Sequence, residues 1–137
     1  MRLRKFKELQ KGERASRIGT LTGIVVLIFF CVYGLVYQYF DTIVVLGMFL
    51  GIVCSELYLH CKIKAAECMN VVSILCASFA LGLFFMNSYP VWADRLNNIS
   101  MYSSRGTLFP VITILVLQVA AILCEVVSCF CVRKEGV

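Results

Sequence analysis

The run IVVLIFFCVYGLVY, Ile24 to Tyr37, decides the fold. It lies inside a longer stretch, Ile18 to Phe40, that holds no charged residue. A bilayer core about 30 Å thick is crossed by ~20 mostly apolar residues in helical form. The stretch is too long and too evenly apolar for a membrane strand, which alternates its faces over ~9–11 residues. A helix also satisfies its own backbone groups, which hydrocarbon cannot do. The sequence therefore predicts a first spanning helix over Ile18–Tyr37.

Three further apolar runs predict spanning helices over Thr42–His60, Ala65–Met86 and Leu108–Cys131. Asp41 makes the first link a very short turn, and Cys61–Lys64 makes the second. Pro90 helps to end the third region, since proline cannot continue a helical hydrogen-bond ladder. Pro110 falls in the first turn of the fourth helix, where its missing N–H does little harm. The expected fold is an all-α membrane protein, one four-helix domain with a basic segment 1–17 and an outer loop 87–107. Only 15% of the residues are charged, against ~25% in a soluble domain. Little chain is left for a separate soluble domain, which needs ~50 residues or more.

Lysine and arginine near the helix ends set orientation. The N-terminal segment, the Cys61–Lys64 link and the C-terminal tail together carry eleven, and the opposite links carry two, Arg95 and Arg105. This places both termini in the cytoplasm. The eight cysteines agree, because none falls in an outer link, where disulfides would form. Ile18–Phe40 lacks a small-residue cleavage site near its end, so it reads as a retained signal anchor. The placement is multi-pass, in the cell membrane if the source is bacterial.

The basic residues Arg2, Arg4, Lys5, Lys7, Lys11, Arg14 and Arg17 abut the first helix. Anionic lipid headgroups are their nearest partner. No aromatic platform accompanies them, so nucleic acid is not expected. In the outer loop, Val91, Trp92, Leu96 and Ile99 can share one face of a short interfacial helix. Asn98-Ile99-Ser100 is a glycosylation sequon on the same side.

Three glutamates fall near the inner ends of their helices: Glu56, Glu67 and Glu125. A lone carboxylate in hydrocarbon costs several kcal/mol, so such groups pair, protonate or face water. Two readings stand. They pair with Lys62, Lys64, Arg14, Arg17, Arg133 or Lys134, or they line an acidic vestibule for a proton or cation. Gln118, near mid-membrane, is expected to bond to the third helix, at Ser73 or Ser78. Small residues four apart mark packing faces: Gly47, Gly51 and Ser55; Ala120, Cys124 and Ser128; Gly19 and Gly23.

His60, Cys61, Glu67 and Cys68 match no zinc spacing, so no metal is expected. CSELYLHCKIK and CEVVSCFCVRK share Cys, Cys and Lys in register, but low-diversity apolar segments match easily by chance. No nucleotide loop, HExxH or G-x-S-x-G is present, so neither catalysis nor a cofactor is expected. Small four-helix multidrug exporters have this size, but their essential carboxylate sits in helix one, where this chain has none. The leading expectation is a non-catalytic accessory or assembly subunit that packs with itself or with a larger membrane-protein partner. The alternative is an oligomeric transporter coupled to protons or cations.

The charge bias carries a direct test. On a cysteine-free background, single cysteines at Gln10 and Gly136 should be shielded from impermeant thiol reagents in intact cells, and one at Ser103 should react. Labelling of both ends with Ser103 silent reverses the orientation.

Overall fold

The computed structural model describes residues 2–37, 40–61, 65–99 and 107–131. These form five helices: α1 (Arg2–Val36), α2 (Thr42–His60), α3 (Ala65–Asn87), α4 (Tyr89–Asn97) and α5 (Leu108–Phe130). Four contain spans long and apolar enough to cross a membrane: Lys11–Val36, Thr42–His60, Glu67–Asn87 and Leu108–Phe130. The chain is an all-helical, multi-pass membrane protein.

Helices α2, α3 and α5 fall within a residue of their sequence-predicted limits. Helix α1 departs: it starts at Arg2 rather than Ile18. Arginine, lysine, glutamate, glutamine and leucine dominate residues 2–17, and all are strong helix formers. Charge ends a membrane span there without ending the helix. At 1.5 Å per residue α1 is about 52 Å long, well beyond the bilayer core.

The four long helices alternate in direction and pack in the cyclic order α1, α2, α3, α5, with α5 closing on α1. The buried positions of α2 are Val44, Met48, Gly51, Ser55 and Tyr58. Those of α5 are Val111, Ile114, Gln118, Ala121, Glu125 and Ser128. Steps of three and four alternate, which is the seam of a left-handed helical bundle. The outside is greasy: Leu21, Ile28, Leu35, Leu46, Leu75, Phe79, Val116, Leu123 and Phe130 are each more than half exposed. Such a surface is stable only with hydrocarbon as its solvent.

The core divides along its length. Toward the α4 end it is apolar, built from Val26, Phe30, Tyr33, Val44, Met48, Phe84, Val111 and Ile114. Phe30 of α1 and Phe84 of α3 meet edge to face across the bundle, their centroids 5.3 Å apart. Toward the α2–α3 link the buried residues are polar: Ser16, Thr20, Ser55, Asn70, Ser73, Glu125 and Ser128.

Glycines set the spacing. A Cβ on Gly51 would lie 3.3 Å from the Ser73 carbonyl, and one on Gly47 would lie 3.1 Å from Ala80 Cβ, both on α3. On α1, a Cβ on Gly19 would lie 3.2 Å from the Ala121 carbonyl and 3.2 Å from Cys124 Cβ of α5. Close approach of backbones is how lipid-embedded helices gain packing energy. Ser128 is buried in the α1–α5 seam, while Ala120 and Cys124 are half-buried beside it.

At the far end, Asp41 caps α2 by accepting from the Ile43 N–H at 3.0 Å, and its other oxygen accepts from Asn87 at the end of α3. A single residue, Ser88, separates α3 from α4. Pro90 lies in the first turn of α4 and so starts that helix. The Trp92 indole N–H donates to Ser88 Oγ at 3.1 Å, and Asn98 ends the helix in the left-handed region at φ 55°. Trp92 is half-buried on this short helix, whereas Leu96 is 83% exposed.

Gly51→Leu should lower thermal stability in detergent, because overpacking a tight contact costs about 1–3 kcal/mol. Leu50→Val, on the lipid-facing side of the same helix, should leave it nearly unchanged. Equal melting of the two variants would place Gly51 outside any tight seam.

Candidate functional site: a buried carboxylate in a hydroxyl cage

Glu125 lies on the bundle axis, 5% exposed. Ser55 Oγ of α2 donates to its Oε1 at 2.6 Å, and Ser16 Oγ of α1 donates to its Oε2 at 3.2 Å. Thr20 Oγ1 stands 3.5 Å from Oε1 and 2.6 Å from Ser55 Oγ. Ser16 and Ser55 are 3.4 Å apart, and Thr20 Oγ1 also reaches the Ser16 carbonyl at 3.0 Å. Three helices thus close four side chains into one cluster.

Local sequence explains the convergence. Ser16 and Thr20 are four apart on α1, so they share a face. Gly19 lies beside them, and a Cβ there would sit 3.0 Å from Glu125 Oε1. Glycine is what lets the carboxylate sit against the α1 backbone. On α3, Asn70 Nδ2 donates to the Glu125 carbonyl at 3.4 Å and to Cys129 Sγ at 3.0 Å. Asn70 Oδ1 and Ser128 Oγ are buried without a hydrogen-bond partner among the described residues. Both fall on the α2–α3 side of the carboxylate.

A cavity of about 30 Å³ lies among all four long helices, bounded by Gly19, Thr20, Gly51, Ser55, Gln118 and Glu125 together with apolar neighbours. A water needs ~10–15 Å³, so the space holds one or two. Gln118 bounds it on the apolar side. Its Nε2 donates to the Ala77 carbonyl of α3 at 3.3 Å. The partner helix is the one the sequence predicts, but the acceptor is backbone. Ser73 is already engaged, donating to the Gly51 carbonyl at 2.7 Å, and Ser78 is exposed.

The other two glutamates lie elsewhere. Glu56 follows Ser55 and is rotated off the axis by one helical step. Its side chain is half-exposed and 3.2 Å from His60 Nε2. Glu67 is exposed in the first turn of α3, where a helix N-terminus favours an anion. The structure therefore brings only one of the three carboxylates into the bundle. Arg14 and Arg17 are exposed, and Lys62, Lys64, Arg133 and Lys134 lie outside the described residues. Among the described residues the partners of Glu125 are hydroxyls, not cations. Among them, too, no three His, Cys, Asp or Glu side chains converge as metal ligands.

The cage has two complete hydrogen-bond arrangements. With Glu125 ionised, Ser55 and Ser16 donate to the carboxylate and Thr20 donates to Ser55. With Glu125 protonated, its O–H donates to Ser55 Oγ, Ser55 to Thr20 Oγ1, and Thr20 to the Ser16 carbonyl. Hydroxyls can do this because each is both donor and acceptor and its hydrogen rotates freely. One proton can enter or leave while the heavy atoms keep their places. Ser16, Thr20 and Ser55 carry no charge, Ser16 at the end of the basic segment and the other two within apolar runs, so charge singles out the glutamates and not the hydroxyls around Glu125. The i, i+4 pair Ser16–Thr20 is the signal that could have found the cage.

No protein-family model matches the chain, and neither a curated protein nor a solved structure matches it.

Three variants separate hydroxyl pairing from ion pairing. Glu125→Gln keeps shape and an acceptor, so melting should change little. Glu125→Leu strands the Ser16 and Ser55 donors, and each buried unsatisfied group costs about 1–3 kcal/mol. Glu56→Gln should cost under about 1 kcal/mol, as for any exposed pair. Loss of folding in Glu125→Gln would mean that a cation holds the carboxylate.

Proposed function

We propose that the chain is a small, non-enzymatic membrane protein whose Glu125 takes up and releases a proton or cation as part of coupled transport. The observation that carries this reading is the enclosure of a single carboxylate by three hydroxyls, without a basic partner among the described residues. Acids inside a membrane that are not neutralised by a basic partner mark ion and proton pathways. Polar residues Asn70 and Ser128 continue from Glu125 toward the α2–α3 link, and the apolar core blocks the opposite direction. Exchange therefore takes place on the side of the α2–α3 link. The basic bias makes that side cytoplasmic, in contact with anionic headgroups, and the membrane the cell membrane if the source is bacterial.

The assembly reading has an observation of its own. Ser78 and Gly82 lie four apart on the exposed face of α3, and a Cβ on Gly82 would meet nothing within 4 Å. Small residues at this spacing on a lipid-facing helix suit packing against a second copy or another membrane protein. The two readings are compatible, since transport by a four-helix unit is readily completed in an oligomer.

One preparation tests both. In proteoliposomes carrying a pH gradient, wild-type protein should dissipate the gradient faster than Glu125→Gln, which keeps the shape of the side chain but cannot exchange a proton there. Equal rates remove Glu125 from the function. Gly82→Leu should shift the oligomer to lower mass in detergent while the fold is kept, and an unchanged mass removes this face from assembly.

A further inference from the structure

We infer that the Glu125 cage also binds a dehydrated monovalent cation of sodium size, in direct competition with the proton. This deepens the proposed function and rests on it. The donor set is all oxygen: Ser16 Oγ, Thr20 Oγ1, Ser55 Oγ and both oxygens of Glu125, drawn from α1, α2 and α5. Hard cations without covalent preference are held by such hydroxyl and carboxylate oxygens.

Charge selects the valence. The cage holds one carboxylate and three neutral hydroxyls. A monovalent ion neutralises it, as a proton does. A divalent ion leaves a net charge inside the bundle, where an uncompensated charge is costly. Lys11, Arg14 and Arg17 of α1 are exposed and do not alter this count. The other titratable groups at this end of the bundle, among the described residues, are Cys54, Glu56, the buried Tyr58, His60 and Cys61 from α2 and its C-terminal end, the exposed Glu13 of α1, the exposed Glu67 and Cys68 of α3, and Cys124, Cys129 and Cys131 from α5 and its C-terminal end. Cys129 is tied to the Glu125 backbone through Asn70, whose Nδ2 donates to both, and Glu56 points instead to His60.

Spacing selects the size. An ion held at ~2.4 Å, the range of calcium-sized cations, spaces oxygens at right angles by ~3.4 Å. Ser16 to Glu125, Ser16 to Ser55 and Thr20 to Glu125 span 3.2, 3.4 and 3.5 Å. The two shorter contacts, Thr20–Ser55 and Ser55–Glu125 at 2.6 Å, are hydrogen bonds that open by under about 1 Å as the hydroxyls turn their lone pairs to the ion. Potassium is larger and would spread every pair. The adjoining cavity of about 30 Å³ gives the entering ion room for one residual water.

The test uses the full chain purified in detergent and a hydrophobic carbodiimide, which adds its mass to a protonated carboxyl shielded from water. The adduct is mapped by mass spectrometry. Glu125 should label faster as pH falls. At fixed pH, NaCl at ten times its dissociation constant should slow labelling about tenfold, because a bound ion excludes the reactive form by mass action. KCl and choline chloride at equal ionic strength should not. Thr20→Val, which keeps shape and removes one ligand oxygen, should retain the pH dependence and lose at least most of the sodium protection. Ser55→Ala should do the same if Thr20→Val does not fold. Glu125 labelling that follows pH but ignores sodium overturns the cation site and leaves the proton reading standing. Labelling at Glu125 that ignores pH overturns the proton reading itself. Equal protection by sodium, potassium and choline shows screening alone and also overturns the site.

Discussion

The enclosure of Glu125 governs the bundle. A carboxylate in hydrocarbon is tolerated only when its charge is neutralised or its oxygens are bonded. Here the bonds to a carboxylate carried by α5 come from α1 and α2. No two helices suffice. The requirement fixes the register of α5 against α1, and of both against α2, to within a hydrogen-bond length. Helix pairs held only by lipid-like side chains have no such directional constraint, since the hydrophobic effect does not distinguish a lipid tail from a leucine.

Glycine placement follows from that register. Ser16 and Thr20 can reach the axis only if the α1 backbone comes close to α5, and Gly19 is the residue between them that permits it. On the opposite seam Gly47 and Gly51 do the same for α2 against α3, which brings Ser73 to the Gly51 carbonyl and Ser55 to the axis. Small residues and hydroxyls are therefore one design. The first set the distance, and the second use it.

The four spans and every end of the long helices except the start of α1 were legible because membrane thickness imposes a length on apolar runs, and length survives in sequence. The start of α1 was not, because hydropathy reports where a span ends and helix propensity reports where a helix ends, and over Arg2–Arg17 the two differ. Glu125 was legible as a charge out of place, and the link from Gln118 to the third helix as a polar group needing a partner. Which glutamate enters the bundle was not legible. Glu56 and Glu125 sit at similar depths in similar runs, and every face of these helices is apolar enough to conceal the buried one. The alternating steps of three and four that settle it emerge only when burial is known. Serine and threonine are weak signals for the same reason, being neutral in charge and common at helix ends.

Two diagonals cross this bundle at different depths. Toward the α2–α3 link, Ser55 of α2 bonds to Glu125 of α5. Toward α4, Phe30 of α1 packs edge to face on Phe84 of α3. Each diagonal ties together a pair of helices that are not neighbours in the ring. Their chemistry differs, and so does what breaks them. The polar diagonal responds to whatever occupies the carboxylate, because a proton or an ion changes its donors and acceptors. The apolar diagonal is indifferent to charge and yields only when α1 and α3 separate, which exposes aromatic surface in the axis. In the transport proposed above, a passage from one face to the other would have to open the second while the first keeps the helices in register. Coupling would then run from the polar diagonal to the apolar one, through the glycine seams that join them, because those seams are the places where a small shift of one backbone is felt at once by its neighbour.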